Sequence, residues 1–211
     1  MKNLIIIGAR GFGREVFNLA QQTEEYGNEW IIKGFLDSDQ DALKMFQGYP
    51  PILSSSENYA VQEDDIFICA LGNPAHKKHY VDIIISKGGT FTNIIHPTTT
   101  INKVGTAIGR GVIIGPYTYI SNNVTVGNYV TIQSHVAIGH DVSIGSFCQI
   151  NCLSFFGGFV KVGEQSTINP GATILPKKVV GNNSTVGINS SVLANVKDNT
   201  SVYGNPAKVL L

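Results

Sequence analysis

From Ile108 to Val192 every sixth residue is Ile or Val, with Phe156 the single exception. The series runs Ile108, Ile114, Ile120, Val126, Ile132, Ile138, Ile144, Ile150, Phe156, Val162, Ile168, Ile174, Val180, Val186 and Val192, fifteen positions in one phase. In a chain that is 43% hydrophobic, chance would give this in one phase about three times in a million. Gly follows the apolar residue at nine of the fifteen positions, and the fourth residue after it is usually small or β-branched, as at Val112, Thr118, Val124 and Cys148. A period of six matches neither the 3.6 residues of a helix nor the alternation of an ordinary strand. It calls for short strands joined by sharp corners, each strand placing one β-branched side chain in a shared interior. Three such sides close a triangular prism, so fifteen hexads make about five coils stacked ~4.8 Å apart.

Before Ile95 the six-residue phase vanishes and the chain reads as α/β. Leu4–Ile7 has the composition of a short buried strand, and Gly8-Ala9-Arg10-Gly11-Phe12-Gly13 follows it. Phe12, Val16, Leu19 and Ala20 then fall on one helical face. Trp30–Leu36 reads as a second strand ending at Asp37, Ile66–Leu71 as a third closing on Gly72-Asn73, Ala75–Lys87 as a helix, and Phe91–Ile95 as a last strand. Strand, Gly-rich turn, helix and strand in that order begin a doubly wound, Rossmann-like sheet. The expected division is an α/β unit over 1–95 and a prism over 96–211, with Ile95 and Ile101 as the prism's earliest sides and a one-residue slip before Ile108. Glycines 8, 11 and 13 let a ligand approach the backbone, and the helix start behind them offers free amides to a phosphate. Asp37, closing the second strand, is placed to accept from a ribose or a base. NAD is disfavoured, because a second nucleotide-binding half and hydride-transfer residues are both lacking.

Composition narrows the partners. Fifteen basic residues balance fifteen acidic ones and only 14% of the chain is charged, so no polyanion-binding surface is expected and nucleic acid is an unsuitable partner. The apolar start is too short for a signal peptide and no stretch is long enough to span a membrane, so a cytoplasmic protein is expected. Cys69, Cys148 and Cys152 provide neither a disulfide framework nor zinc-site spacing.

His140-Asp141 interrupts the repeat where neighbouring coils carry small or turn-forming residues. An imidazole titrating near neutrality can take the proton from an attacking amine or hydroxyl, and a carboxylate beside it can fix its tautomer. Adjacent residues of a strand point to opposite faces, so the pair works only at a corner of the prism. Gly158 follows His140 by eighteen residues, one full turn, which stacks the two on one edge.

The segments IIIGARGFGREV, FICALGN, IGHDVSIG and VYGNPAKVL, set around the hexad repeat, make the whole chain resemble the bacterial sugar O- and N-acyltransferases of the sialic-acid O-acetyltransferase-like group. The resemblance implies a left-handed parallel β-helix behind the Rossmann-like domain, a homotrimer, and transfer of an acetyl group from acetyl-CoA to a nucleotide-linked amino sugar for surface glycans, with no metal. It implies that Gly8, Gly11 and Gly13 receive the diphosphate, with Asp37, Gly72 and Asn73 near the nucleoside. His140 is then the general base, Asp141 its partner, and the Gly158 amide the oxyanion donor. Gln133 stands where relatives commonly have Asn near the sugar, and Gln149 where many have a second His near the coenzyme. Gly187 and the tail through Lys208 would lie at the adenine end. His135, in place of a small residue, is a further departure. Two other readings stay open at this point: a non-catalytic nucleotide-sugar scaffold, and a γ-type carbonic anhydrase using His96, His135 and His140, whose five-residue spacing between the last two fits that class. His76 and His79 are expected in solvent.

Overall fold

The computed structural model describes residues 1–210 and divides into two compact units, 1–97 and 98–211. In the first, β1 (Lys2–Ile7), α1 (Gly11–Ala20), β2 (Trp30–Leu36), β3 (Ile52–Ser54), β4 (Asp65–Cys69), α2 (Pro74–Ser86) and β5 (Thr90–Phe91) build a sheet of order β3-β2-β1-β4-β5. Every pairing is parallel. Central β1 is covered on both faces, which is why Leu4, Ile5, Ile6 and Ile7 are all buried without alternation. The chain order reverses between β1 and β4, and the crevice beyond their carboxyl ends is where a doubly wound sheet takes its ligand.

Two details depart from expectation. β3 lies in a stretch entered through Pro50-Pro51 and is only three residues long, too short for an apolar run to announce it. The final strand is split: Thr90–Phe91 joins the sheet, and Ile94–Ile95 forms a separate short strand.

A buried polar cluster fastens β2 to β4. The Lys33 ammonium donates to Tyr59 Oη and Asp65 Oδ1, both at 2.9 Å, while Tyr59 Oη and the Gln62 amide donate to Asp65 Oδ2 at 2.8 and 2.9 Å. The Asp65 carboxylate is fully buried. Burial alone would raise its pKa, but hydrogen bonds from Lys33, the Gln62 amide and Tyr59 together hold it below the ordinary value of 3.8. Asp65 therefore contributes stability that is complete above the ordinary carboxylate range and is lost as pH falls through its own lowered value. Asp65→Asn leaves the Lys33 ammonium without its counter-charge and should cost about 2–4 kcal/mol in urea unfolding at neutral pH. The gap from wild type should narrow as the unfolding is repeated at progressively lower pH.

The second unit is a parallel β-helix of two-residue strands. Each strand pairs in register with the one eighteen residues later: Ile120, Ile138, Phe156, Ile174 and Val192 stack on one side. Val126, Ile144, Val162 and Val180 stack on a second, and Ile114, Ile132, Ile150, Ile168 and Val186 on a third. Every member of the repeat from Ile114 onward is buried. The prism begins before the repeat: Thr100–Ile101 pairs with Tyr119–Ile120 and gives that side six strands. The slip before Ile108 is absorbed in a loop where Gly105 takes φ 68°. At the far end Ser201–Tyr203 stacks on Thr185–Val186 and folds back as an antiparallel pair with Lys208–Val209.

The corners explain the rest of the hexad. One residue per corner adopts the left-handed conformation: Asn123, Asp141, Phe159 and Lys177 along one edge, Tyr117, His135 and Leu153 along another, Tyr129, Phe147 and Gln165 along the third. Branching at Cβ is incompatible with that conformation, and no β-branched residue is found there among the described residues. The left-handed positions are unbranched at Cβ, while the inward side positions of the repeat are β-branched but for Phe156.

Candidate active site

At the carboxyl ends of β1, β2 and β4 a cleft of about 520 Å³ opens, lined by Gly8, Arg10, Gly13, Asp37, Gly72, His76 and Tyr80 among others. Gly8 carries the chain out of β1 at φ 97°, and any side chain there would press on Leu71. Gly13 has a different task. A Cβ on it would run into the Gly8 carbonyl oxygen, so its role is to seat α1 against the end of β1. Gly11, by contrast, has open space beside it at the first position of α1. That helix starts from Arg10 with no side-chain cap and no acidic residue in its first turn, leaving its amides available to an anion.

Two of the residues expected around a nucleoside already have duties. Asp37 accepts from the Ala9 amide at 2.9 Å and the Asp39 amide at 3.0 Å, so it ties the glycine turn to the end of β2. Asn73 caps α2, accepting from the His76 amide at 3.0 Å, and is not among the residues lining the cleft. His76, expected simply in solvent, is exposed yet stands on the cleft wall with Tyr80. Its place at the start of the helix after Asn73-Pro74 was the signal that could have flagged it.

In the prism, His140 and Asp141 form one corner. Asp141 sits at φ 59°, a conformation Asp tolerates, and the turn swings the two adjacent side chains together. His140 Nδ1 and Asp141 Oδ2 are 2.7 Å apart. A carboxylate only accepts, so Nδ1 carries the proton, and in the neutral imidazole Nε2 keeps its lone pair. The imidazole is half exposed. Phe159 meets it edge-on, ring centroids 5.2 Å apart at 90°. Gly158 lies directly along the edge, where a Cβ would come 2.6 Å from both Cε1 and Nε2 of His140. The absent side chain is the room the imidazole occupies.

The remaining expected residues are elsewhere in the chain. Gln133, Gln149 and Gly187 belong to the side that packs Ile132, Ile150 and Val186, the side across the triangle from the His140 edge. Gln133 accepts from the Cys152 amide at 3.3 Å. Gln149 is buried and donates to Asn151, which continues to Asn169. The Tyr203 ring covers Gly187. Lys208 and Lys197 line a second cleft, about 540 Å³, at the end of the prism. His135 packs against Tyr117, and His96 pairs with Gln22. Among the described residues no group of three or more His, Cys, Asp or Glu could hold a metal ion. The Cys69 thiol is pushed up to about 12 by burial and is chemically quiet.

Residues 3–84 match the PglD N-terminal domain, and residues 105–140 match the bacterial transferase hexapeptide model of six repeats. The chain thus joins a PglD-type α/β domain to a prism of hexapeptide repeats. It is similar to the acetyltransferase domain of PglB from Neisseria gonorrhoeae, 25% identical with TM-score 0.88 over the whole of both chains. It also resembles a histidine-to-asparagine mutant of perosamine N-acetyltransferase from Caulobacter crescentus, solved with CoA and GDP-perosamine. That protein is 20% identical with TM-score 0.89, covering 100% of this chain and 98% of that one. WeeI from Acinetobacter baumannii is 21% identical with TM-score 0.74, covering all of both chains. No curated protein matches the sequence. No helix among the described residues is long and apolar enough to cross a membrane.

Proposed function

We propose that this chain is a cytoplasmic, homotrimeric acetyltransferase that moves the acetyl group of acetyl-CoA to an amino or hydroxyl group of a nucleotide-linked amino sugar, in the synthesis of surface glycans. The observation that carries the reading is the His140–Asp141 corner, 2.7 Å between the paired atoms, with Gly158 one coil on along the same edge. Nε2 of His140 takes the proton as the acceptor nitrogen or oxygen attacks the thioester carbonyl carbon. The negative charge that develops on the carbonyl oxygen is met by the Gly158 amide. As the carbon–sulfur bond breaks, the proton passes from Nε2 to the departing sulfur and the imidazole is restored. Asp141 steadies the imidazolium between the two transfers.

The α/β unit (1–95 in this reading) holds the nucleotide sugar, with its diphosphate at the open amides of α1 beside Gly8 and Gly11 and its nucleoside toward Asp37, Gly72 and His76. The PglB acetyltransferase domain solved with acetyl coenzyme A and the perosamine enzyme solved with CoA and GDP-perosamine support this pair of substrates. A threefold assembly accounts for two features that one prism leaves unexplained. Tyr117, Tyr119, Leu153, Phe155 and Phe159 are exposed on and beside the side that ends in the His140 corner. Gln133, Gln149 and Gly187, on the opposite side, meet a His140 only when a second copy supplies it. Lys197 and Lys208 then suit the phosphates of the coenzyme.

The test is thiol release from acetyl-CoA against UDP-, dTDP-, GDP- and CMP-linked amino sugars. Release with one of them, absent without acceptor, is the expected result. No release with any would overturn the reading.

A further inference from the structure

The three edges of the prism treat their corner amides differently. On the edge of Tyr129 and Phe147, the amides of Arg110, Asn128, Glu164 and Asn182, each preceding a left-handed residue, are claimed by a side chain one coil on, while among the described residues that of Ser146 is not. Arg110 N–H donates to Asn128 Oδ1 at 3.0 Å, and Asn128 N–H to Ser146 Oγ at 3.2 Å. Glu164 N–H donates to Asn182 Oδ1 and Asn182 N–H to Asp198 Oδ1, both at 2.8 Å. The His140 edge has none of this. The equivalent residues there are Asn122, His140, Gly158 and Pro176, and the amides of Asn122, His140 and Gly158 meet no acceptor among the described residues. Beneath Gly158 stands Pro176, whose ring packs where a Gly157 side chain would be. Proline offers neither a side-chain acceptor nor a donor of its own.

We infer that Pro176 is a positioning residue for the transfer reaction: by occupying the place from which Asn128 and Asn182 claim the equivalent amides on the neighbouring edge, it keeps the Gly158 donor open for the oxyanion. This rests on the reading of Gly158 as oxyanion donor. An amide that must bind charge as it develops cannot be committed to an internal acceptor beforehand. The same chain shows what a different residue would do, since Asn182 stands to Glu164 as position 176 stands to Gly158. The backbone allows the exchange, because this corner position is filled by Pro at 116 and 170 and by Asn at 122, 128 and 182.

Pro176→Asn should therefore close the donor with an internal hydrogen bond, and Pro176→Ala should not. Against the acceptor that wild type acetylates, the Asn variant is expected to lose ten- to a hundredfold in kcat with KM for acetyl-CoA within threefold. Its thermal midpoint should be no lower than that of the Ala variant, whose kcat should stay within threefold of wild type. Hydrogen exchange at the Gly158 amide reports the bond without reference to activity: slowed in the Asn variant, fast in wild type and the Ala variant. A protected Gly158 amide with kcat within threefold of wild type would overturn the inference, as would equal losses in both variants or a Gly158 amide already protected in wild type. An inactive wild type is a separate outcome that strikes the proposed function itself.

Discussion

His140→Ala is expected to lower turnover by ~10²–10⁴-fold while binding of the coenzyme survives. The size follows from the geometry. Asp141 is bonded to Nδ1, so the lone pair of Nε2 is the basic site the imidazole presents. Removing the ring also removes the contact with Phe159, but both are surface groups on an edge whose interior is packed by Ile138 and Phe156, so unfolding should be unaffected. Steady-state kinetics with each substrate varied, alongside calorimetric titration with CoA, separates the two effects. Activity within threefold of wild type would sink the assignment of the base.

The second large effect is expected from a single methyl group. Gly158→Ala places a Cβ 2.6 Å from Cε1 and Nε2 of His140, well inside contact distance. Gly158 is not in a left-handed conformation, so alanine is acceptable to the backbone and the collision falls on the imidazole. The ring must swing away from both the amide and Asp141, so base and oxyanion donor are lost to each other. Turnover should fall by about 10²–10³-fold, as when an oxyanion donor is removed. A crystal structure of the variant should show the His140–Asp141 hydrogen bond broken. An intact bond with full activity would mean that neither the ring position nor the Gly158 amide matters to the reaction.

The fold was open to reading from the sequence to the degree that it repeats. The six-residue phase gave the prism because burial and branching obey one rule at every coil, and the run Leu4–Ile7 with its glycine turn gave the start of the parallel sheet. What stayed hidden depended on contacts between segments that no local pattern encodes. β3 is three residues long and is defined by its neighbour β2. Asp37 looked free because its partners, the amides of Ala9 and Asp39, are backbone groups. The capping of α2 by Asn73 was hidden because a helix cap and a binding residue use the same atoms. Gln149 is buried, and nothing in its hexad distinguishes it from the exposed residues of other coils. The open amides of the His140 edge were legible in principle. They appear when the sequence is written in rows of eighteen and the column Asn122, His140, Gly158, Pro176 is compared with Arg110, Asn128, Ser146, Glu164, Asn182.

That eighteen-residue register makes the prism a reading frame. Which edge a residue occupies, and how high, is set by its number rather than by its neighbours in the chain. The extra residue between Ile101 and Ile108 is harmless because it falls in the first coil, ahead of the His140 column. The same insertion between His140 and Gly158 would turn every later corner against the earlier ones and part the imidazole from its amide. Whole coils, in contrast, are interchangeable cassettes, since each touches only the coil above and the coil below. A lineage built on this frame can lengthen or shorten its prism by eighteens and leave the chemistry where it stands.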